Sequence, residues 1–278
     1  MKKLFIKKNL EKACYQIRKK ILESAYNSGG GQHLGGGLSM VEIMVYLYGY
    51  KLNININDLT SIKRDRFILS KGHGVLGFYP VLNYYGLIPN QIYKAYKTQY
   101  SELISHPIKN YNFGIESSNG SLGHGLSYGL GIAHGLKLKN INSHVYVLVG
   151  DGECNEGSIW EAAMSGSSLG INNLTLIIDF NKFQSDGATS EILNQNNLLK
   201  RWSSFGWNVI EIDGHNLDDI HNAFNQISTK KIPKLILANT IKGKGINFME
   251  NNNQWHHGRL TENIFNQAME ALENYNVT

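Results

Sequence analysis

Asp151 sits between two glycines, in the run Gly150-Asp151-Gly152, directly behind the β-branched stretch HVYVLV at 144–149. Asn181 follows thirty positions later (181 − 151), just behind a second apolar stretch, LTLIID at 174–179. A carboxylate and a neutral amide oxygen suit a hard cation that keeps oxygen ligands and takes the rest from phosphates. Glycines on both sides of Asp151 let backbone N–H groups approach a diphosphate closely. A bare GDG reads as a strand-to-loop turn. Strand, crossover helix, second strand and terminal Asn together are far more specific. The phosphate-loop pattern GxxxxGK[ST] occurs nowhere in the chain.

Histidines form the other chemical signal. His33 and His73 lie in Gly-rich loops, where imidazole adds little to a turn but can serve a ligand that comes close. Imidazole titrates near neutral pH, as proton relay to an alkoxide requires. His134, His144, His215 and His221 lack such a setting and read as ordinary.

The elements that must position these residues follow from periodicity. Leu10, Ala13, Ile17, Ile21 and Ala25 recur at three to four residues, which predicts an amphipathic helix ended by Gly29-Gly30-Gly31. Ser39 to Tyr48 reads as helix, with Ser39 as N-cap and Glu42 completing a capping box. Arg66 to Ser70 reads as a short buried strand, and Gly125 to Leu138 as a helix whose small residues permit close packing. HVYVLV, a helix from Ser158 to Ser168 and LTLIID form a βαβ unit, hence a parallel sheet covered on both faces. Trp207 to Ile212 and Lys234 to Asn239, flanking a helix from Leu217 to Ile227, extend the pattern. The expected fold class is α/β, one open, mostly parallel sheet with helices on both faces, in a single domain over 1–278. In such sheets ligands bind beyond the carboxyl ends of the strands, where Asp151 and Asn181 lie.

The 278 residues, 42% hydrophobic and 18% charged, suffice for a substantial core. The formal charge of +5 is scattered apart from Lys2, Lys3, Lys7 and Lys8, so no nucleic-acid footprint is visible. Cys14 and Cys154 match no metal-ligand spacing. No apolar run reaches membrane-spanning length and the start lacks a signal-peptide core, so a cytoplasmic location without membrane contact is expected.

The runs GDGECNEGSIWEA at 150–162 and DFNKFQSDG at 179–187 resemble the cofactor motif of thiamine-diphosphate enzymes, and within them the N-terminal part of transketolase. The resemblance continues through SGGGQHLGG at 28–36, LSKGHG at 69–74, His106-Pro107, GSLGHGLSYGLG at 120–131, KGKG at 242–245 and WHHG at 255–258. It implies thiamine diphosphate held through Mg2+ (or Ca2+ or Mn2+), with Asp151, Asn181 and the Phe183 carbonyl as metal ligands and Gly152 donating to the diphosphate. Glu153 belongs to the same cofactor loop without being a metal ligand. Gly120, Leu122 and His124 fall near the aminopyrimidine. Glu156 falls where the family couples two active sites across a dimer; as a first-turn helix acid it also suits the helix dipole. His73 and His257 match positions that reach the diphosphate and the reacting centre, and His33 and His106 match positions that bind the sugar and move protons.

Three departures stand out. Gln32 interrupts a run that commonly passes from glycine to His. His124 replaces a common glutamine. His256 doubles His257, and His257 is preferred because Gly258 follows it. The implied reaction is transfer of a two-carbon ketol unit from a ketose to an aldose or other sugar acceptor. Alternatives are a 2-oxo acid decarboxylase or dehydrogenase subunit, ketol transfer onto a nucleotide-linked sugar, or a non-catalytic binding subunit. His33, His73 and His106 together favour sugar hydroxyls over a simple oxo acid. The family's pyrimidine-binding domain, with its cofactor-activating glutamate, is expected on a C-terminal transketolase-like partner chain, in an assembly with two copies of each. Substrates are sugars or sugar phosphates.

Overall fold

A computed structural model describes residues 4–195, 197–227 and 231–277. Five strands, β1 (Arg66–Leu69), β2 (Val145–Gly150), β3 (Leu174–Phe180), β4 (Asn208–Asp213) and β5 (Lys234–Asn239), form one sheet in the order β1-β2-β3-β5-β4. Every neighbouring pair is parallel. The connections carry α1 (Lys7–Asn27), α2 (Leu34–Leu38), α3 (Val41–Tyr46), α4 (Val75–Tyr84), α5 (Asn90–Lys94) and α6 (His124–Leu138). They continue with α7 (Gly157–Ser168), α8 (Thr189–Ile192), α9 (Leu198–Ser204), α10 (Leu217–Asn225) and α11 (Glu262–Val277).

Strand residues alternate between two cores, as the pleat dictates. Val145, Val147 and Val149 of β2 join Leu174, Leu176 and Ile178 of β3 under α6, α7 and α9. Tyr146, Leu148 and Ile177 face the other way, against the apolar stripes of α1, α3, α4, α10 and α11. The stripe read from α1 is buried throughout: Leu10, Ala13, Ile17, Ile21 and Ala25. Close packing of α6 on the sheet depends on Gly129, where a Cβ would come within 2.4 Å of Val147 Cγ2. No helix among the described residues is long and apolar enough to cross a membrane.

One local expectation fails. The N-cap of α3 is Met40, and Ser39 is the C-cap of α2. Its hydroxyl donates to Gly36 O at 3.2 Å and to Asp179 Oδ2 at 2.6 Å, while Glu42 pairs with Arg18 and His215. Long-range polar partners outcompete the local capping box.

Candidate active site

Gly150 and Asp179 are register partners at the carboxyl ends of β2 and β3, so the loops bearing Asp151 and Asn181 leave the sheet side by side. Both side chains are buried, at 1% and 5% exposure. Asp151 Oδ1 accepts from Gly152 N at 2.9 Å, and Oδ2 accepts from Lys182 N at 2.7 Å. Lys182 takes a left-handed φ of 68°, a conformation rare outside glycine that turns its N–H to the carboxylate. Asn181 Oδ1 accepts from Phe183 N at 3.1 Å. Burial, then the neighbouring Asp179 charge, push the Asp151 carboxyl up to about 7 despite the N–H donors. No basic side chain forms a salt bridge with Asp151 among the described residues. A cation bound beside it would favour the ionised carboxylate.

Asp179 is buried beside it and differently served. Lys71 forms an ion pair with Asp179 and donates to Gly36 O at 2.8 Å, and Ser39 and Thr240 donate their hydroxyls to the same carboxylate. Burial alone would raise this carboxyl; the Lys71 charge and these bonds outweigh it and hold it below its ordinary value.

Beyond this hub the histidines gather. The His33 ring lies 5.2 Å from His73, 6.5 Å from His106, 5.4 Å from His256 and 4.8 Å from His257, centroid to centroid. His106 approaches through loop packing: a Cβ on Gly72 would lie 2.2 Å from Asn119 O and 3.2 Å from His106 Cδ2. Gln32 pairs with Gly258 in both directions, N–H to carbonyl, at 2.8 and 2.9 Å, tying the His33 loop to the His256-His257 loop. Burial, then His257, His106 and nearby lysines, bring His33 down to about 4. Burial, Lys242 and His33 bring His256 down to about 3, and burial and Lys71 push His73 well below the ordinary imidazole range. These three rings are therefore neutral at physiological pH, and Lys71, Lys97 and Lys242 are the lysines that press on them.

His256 and His257 are not equivalent. His256 is half-buried, 5.7 Å from His73, with Nδ1 accepting from Lys242 Nζ at 2.9 Å. His257 is exposed and packs on Gly31, where a Cβ would meet its Cε1 at 2.3 Å. Lys242 joins the two halves of the site. Its ammonium reaches Asn253 Oδ1 at 2.6 Å and Gln184 O at 3.5 Å, and the Gln184 side chain covers Gly152, 2.8 Å from an ideal Cβ there. Burial and the Lys71 charge lower Lys242 to about 8.

Glu153 is buried and committed inward, accepting from Ser70 Oγ, from Gly123 N at 2.9 Å and from Gly150 N at 3.1 Å. Gly120, Leu122 and His124 lie on the loop and first turn that these bonds anchor. Glu156, exposed at the N-terminus of α7, packs beside Gly123, which has φ +85. Lys71, Lys242, Asp179 and Thr240 carry no individual signal in the sequence, and Ser39 signals only a helix cap. LSKGHG and KGKG carried the two lysines in plain view, but a lone lysine in a loop has no periodic signal. A cavity of about 690 Å3 also opens away from the histidines, lined by Lys7, Cys14, Arg18, Glu42, His215 and Tyr275 among others.

Residues 11–275 match the family described as transketolase, thiamine diphosphate binding domain. The chain is 41% identical over 264 residues to one of the subunits of the apulose-4-phosphate transketolase of Actinobacillus succinogenes, covering 95% of this chain and 96% of that one. It is 38% identical over 258 residues to the 6-deoxy-6-sulfo-D-fructose transketolase subunit SqwG of a Clostridium species, covering 92% and 94%. Transketolase from Campylobacter jejuni superposes with a TM-score of 0.86 at 25% identity, over 97% of this chain and 43% of that one. The chain belongs to the transketolase family, where it corresponds to the thiamine-diphosphate-binding N-terminal part that some members carry as a separate polypeptide.

Proposed function

We propose that this chain is the cofactor-holding, N-terminal subunit of a cytoplasmic split transketolase, a transferase that moves a two-carbon ketol unit from a ketose to an aldose or other sugar acceptor. The observation that carries the reading is the juxtaposition of a buried carboxylate without a salt bridge, Asp151, with a cluster of histidines, joined through Lys242. Asp151, Asn181 and the Phe183 carbonyl would hold Mg2+, or Ca2+ or Mn2+ in its place. Among the described residues no group of three or more His, Cys, Asp or Glu side chains is arranged to hold a metal ion by itself. The donor set therefore suits a hard ion that completes its shell with phosphate oxygens. Lys242 and His256 would meet the diphosphate, alongside Gly152 and His73, and Gly120, Leu122 and His124 would border the aminopyrimidine.

Bound thiamine diphosphate supplies the nucleophilic carbon and electron sink for ketol transfer. The chain's own contribution is binding and proton handling. A neutral imidazole can donate from one nitrogen and accept at the other, which suits sugar hydroxyls and a carbonyl oxygen. His33 and His106, with His257 at the exposed rim, would orient the sugar and move protons. Glu153 would act by fixing the 120–123 loop, and Glu156 would sit at a contact between subunits.

A C-terminal transketolase-like partner would supply the pyrimidine-binding domain and the activating glutamate, in an assembly with two copies of each chain. Relatives named for apulose 4-phosphate and a sulfonated fructose support a specialised sugar or sugar phosphate as substrate. Lys97 and Lys242, beside the histidines, suit its anionic group. The relatives are transketolases by name, which speaks against a 2-oxo acid substrate. The test is reconstitution with the partner chain. Ketol transfer from a ketose phosphate should need both chains, thiamine diphosphate and Mg2+, whereas full activity from this chain alone would refute the shared site.

A further inference from the structure

The loop that presents Lys242 is gripped near both ends by groups that converge on one buried carboxylate. At its start, the Ile241 N–H donates to His215 Nε2 at 2.8 Å. An N–H donor requires an unprotonated ring nitrogen, so the neutral imidazole keeps its proton on Nδ1. Nδ1 lies 2.9 Å from Glu42 Oε2 and donates to it. Toward the other end, the Lys244 carbonyl accepts from Arg18 Nε at 2.9 Å, and Arg18 Nη2 lies 2.7 Å from Glu42 Oε1. One oxygen of Glu42 thus leads to Ile241 and the other to Lys244, with Lys242 and Gly243 held between. Arg18 and Glu42 are 1% and 5% exposed, so the pair is largely withdrawn from solvent. Gly245, at φ +94, lets the chain pass Arg18, where a Cβ would lie 2.8 Å from its Cδ and Nε.

We propose that Glu42, His215 and Arg18 are positioning residues that clamp residues 241–245, so that the Lys242 ammonium is delivered to Asn253 and His256. Its consequence for the cofactor rests on the placement of Lys242 proposed above. A histidine that merely fills space would tolerate or resist substitution without regard to which ring nitrogen is mimicked. The clamp requires the acceptor at Nε2. Glutamine can return an acceptor near that position, whereas asparagine mimics only the Nδ1 side. Glu42→Ala would strand Arg18 in the interior, so His215 bears the test.

Amide hydrogen exchange of the full chain reads the clamp directly. In His215→Asn, exchange at Ile241 should rise about tenfold or more, the scale of one lost hydrogen bond. In His215→Gln most of the protection should return, and thermal unfolding should stay similar in both. Equal exchange in all three proteins, or equal loss in both variants in step with their melting temperatures, would overturn the clamp. If His215→Asn fails to fold, Arg18→Lys keeps the charge beside Glu42 but loses the guanidinium fork, and should raise exchange across 241–245. Unchanged exchange there would likewise overturn it. Titration with thiamine diphosphate and Mg2+ separates the two readings. Raised exchange with unchanged affinity leaves the clamp standing and removes Lys242 from the cofactor site.

Discussion

Asp151 and Asp179 are buried acids on neighbouring strands, one just past the end of β2 and the other opposite Gly150 on β3, yet their surroundings differ in kind. Asp179 has its counter-charge built in, from Lys71, and is held below its ordinary value. Asp151 receives backbone N–H donors and a distant Thr189 hydroxyl at 3.4 Å, and is pushed up to about 7. An acid neutralised from within fixes architecture: the Asp179 hub joins the 36–39 segment, Lys71 and Thr240. An acid left without a cation is costly to bury and is relieved by a ligand. The contrast separates scaffold from site more sharply than burial does, since both residues are equally hidden.

The largest effect should come from breaking the compensated member. Asp179→Ala leaves Lys71 buried and unpaired, and should cost about 3–5 kcal/mol of folding stability. Chemical unfolding measures it; a loss below about 1 kcal/mol would show that the hub is not a scaffold. Glu42 offers the same contrast through pH. Burial alone would raise its carboxyl, but Arg18 and His215 hold it at about 2, against an ordinary 4.5. Its folded value lies below its unfolded one, so its stabilisation is complete above pH 4.5 and disappears as pH falls from 4.5 toward 2. Unfolding free energy should fall across that window, with a shallower slope in Glu42→Gln; an unaltered slope would contradict the assignment.

Effects on the ligand side should spare the fold. His33→Ala and His106→Ala should lower turnover of the reconstituted enzyme by on the order of a hundredfold, with cofactor affinity nearly intact. Loss of cofactor in His33→Ala would instead make that ring part of the scaffold. The smallest effect is expected for Asn181→Ala, a neutral oxygen rather than a charge. Its apparent Kd for thiamine diphosphate with Mg2+ should rise roughly tenfold, and no change would remove Asn181 from the metal site.

The sheet was legible because its signals are local. The β-branched run before Gly150, the apolar stripe of α1 and the βαβ spacing each lie within one segment. That Asp151 and Asn181 lie side by side was legible because strand ends in a parallel sheet are neighbours by topology. Ser39 has the local context of an N-cap, but its hydroxyl answers to Asp179, 140 positions away, rather than to the adjacent helix. His215 looks ordinary in sequence because Glu42 and Ile241 meet it only after folding. The glycine that follows His257 favours that residue over His256 as the inner ring. In the folded chain His256 is half-buried against Lys242 and His257 is exposed beside Gly31.

The most direct test of the account is calorimetric titration of thiamine diphosphate with Mg2+ into the reconstituted enzyme, wild type and Asp151→Ala, with thermal unfolding of each chain recorded alongside. Removing an acid that lacks an internal counter-charge should leave stability equal or slightly raised. It should weaken Mg2+-dependent cofactor binding by at least roughly a hundredfold, because the diphosphate's metal loses its anionic protein ligand. Unchanged affinity, or a collapse of stability like that expected for Asp179→Ala, would contradict the claim that Asp151 is held in reserve for a cation.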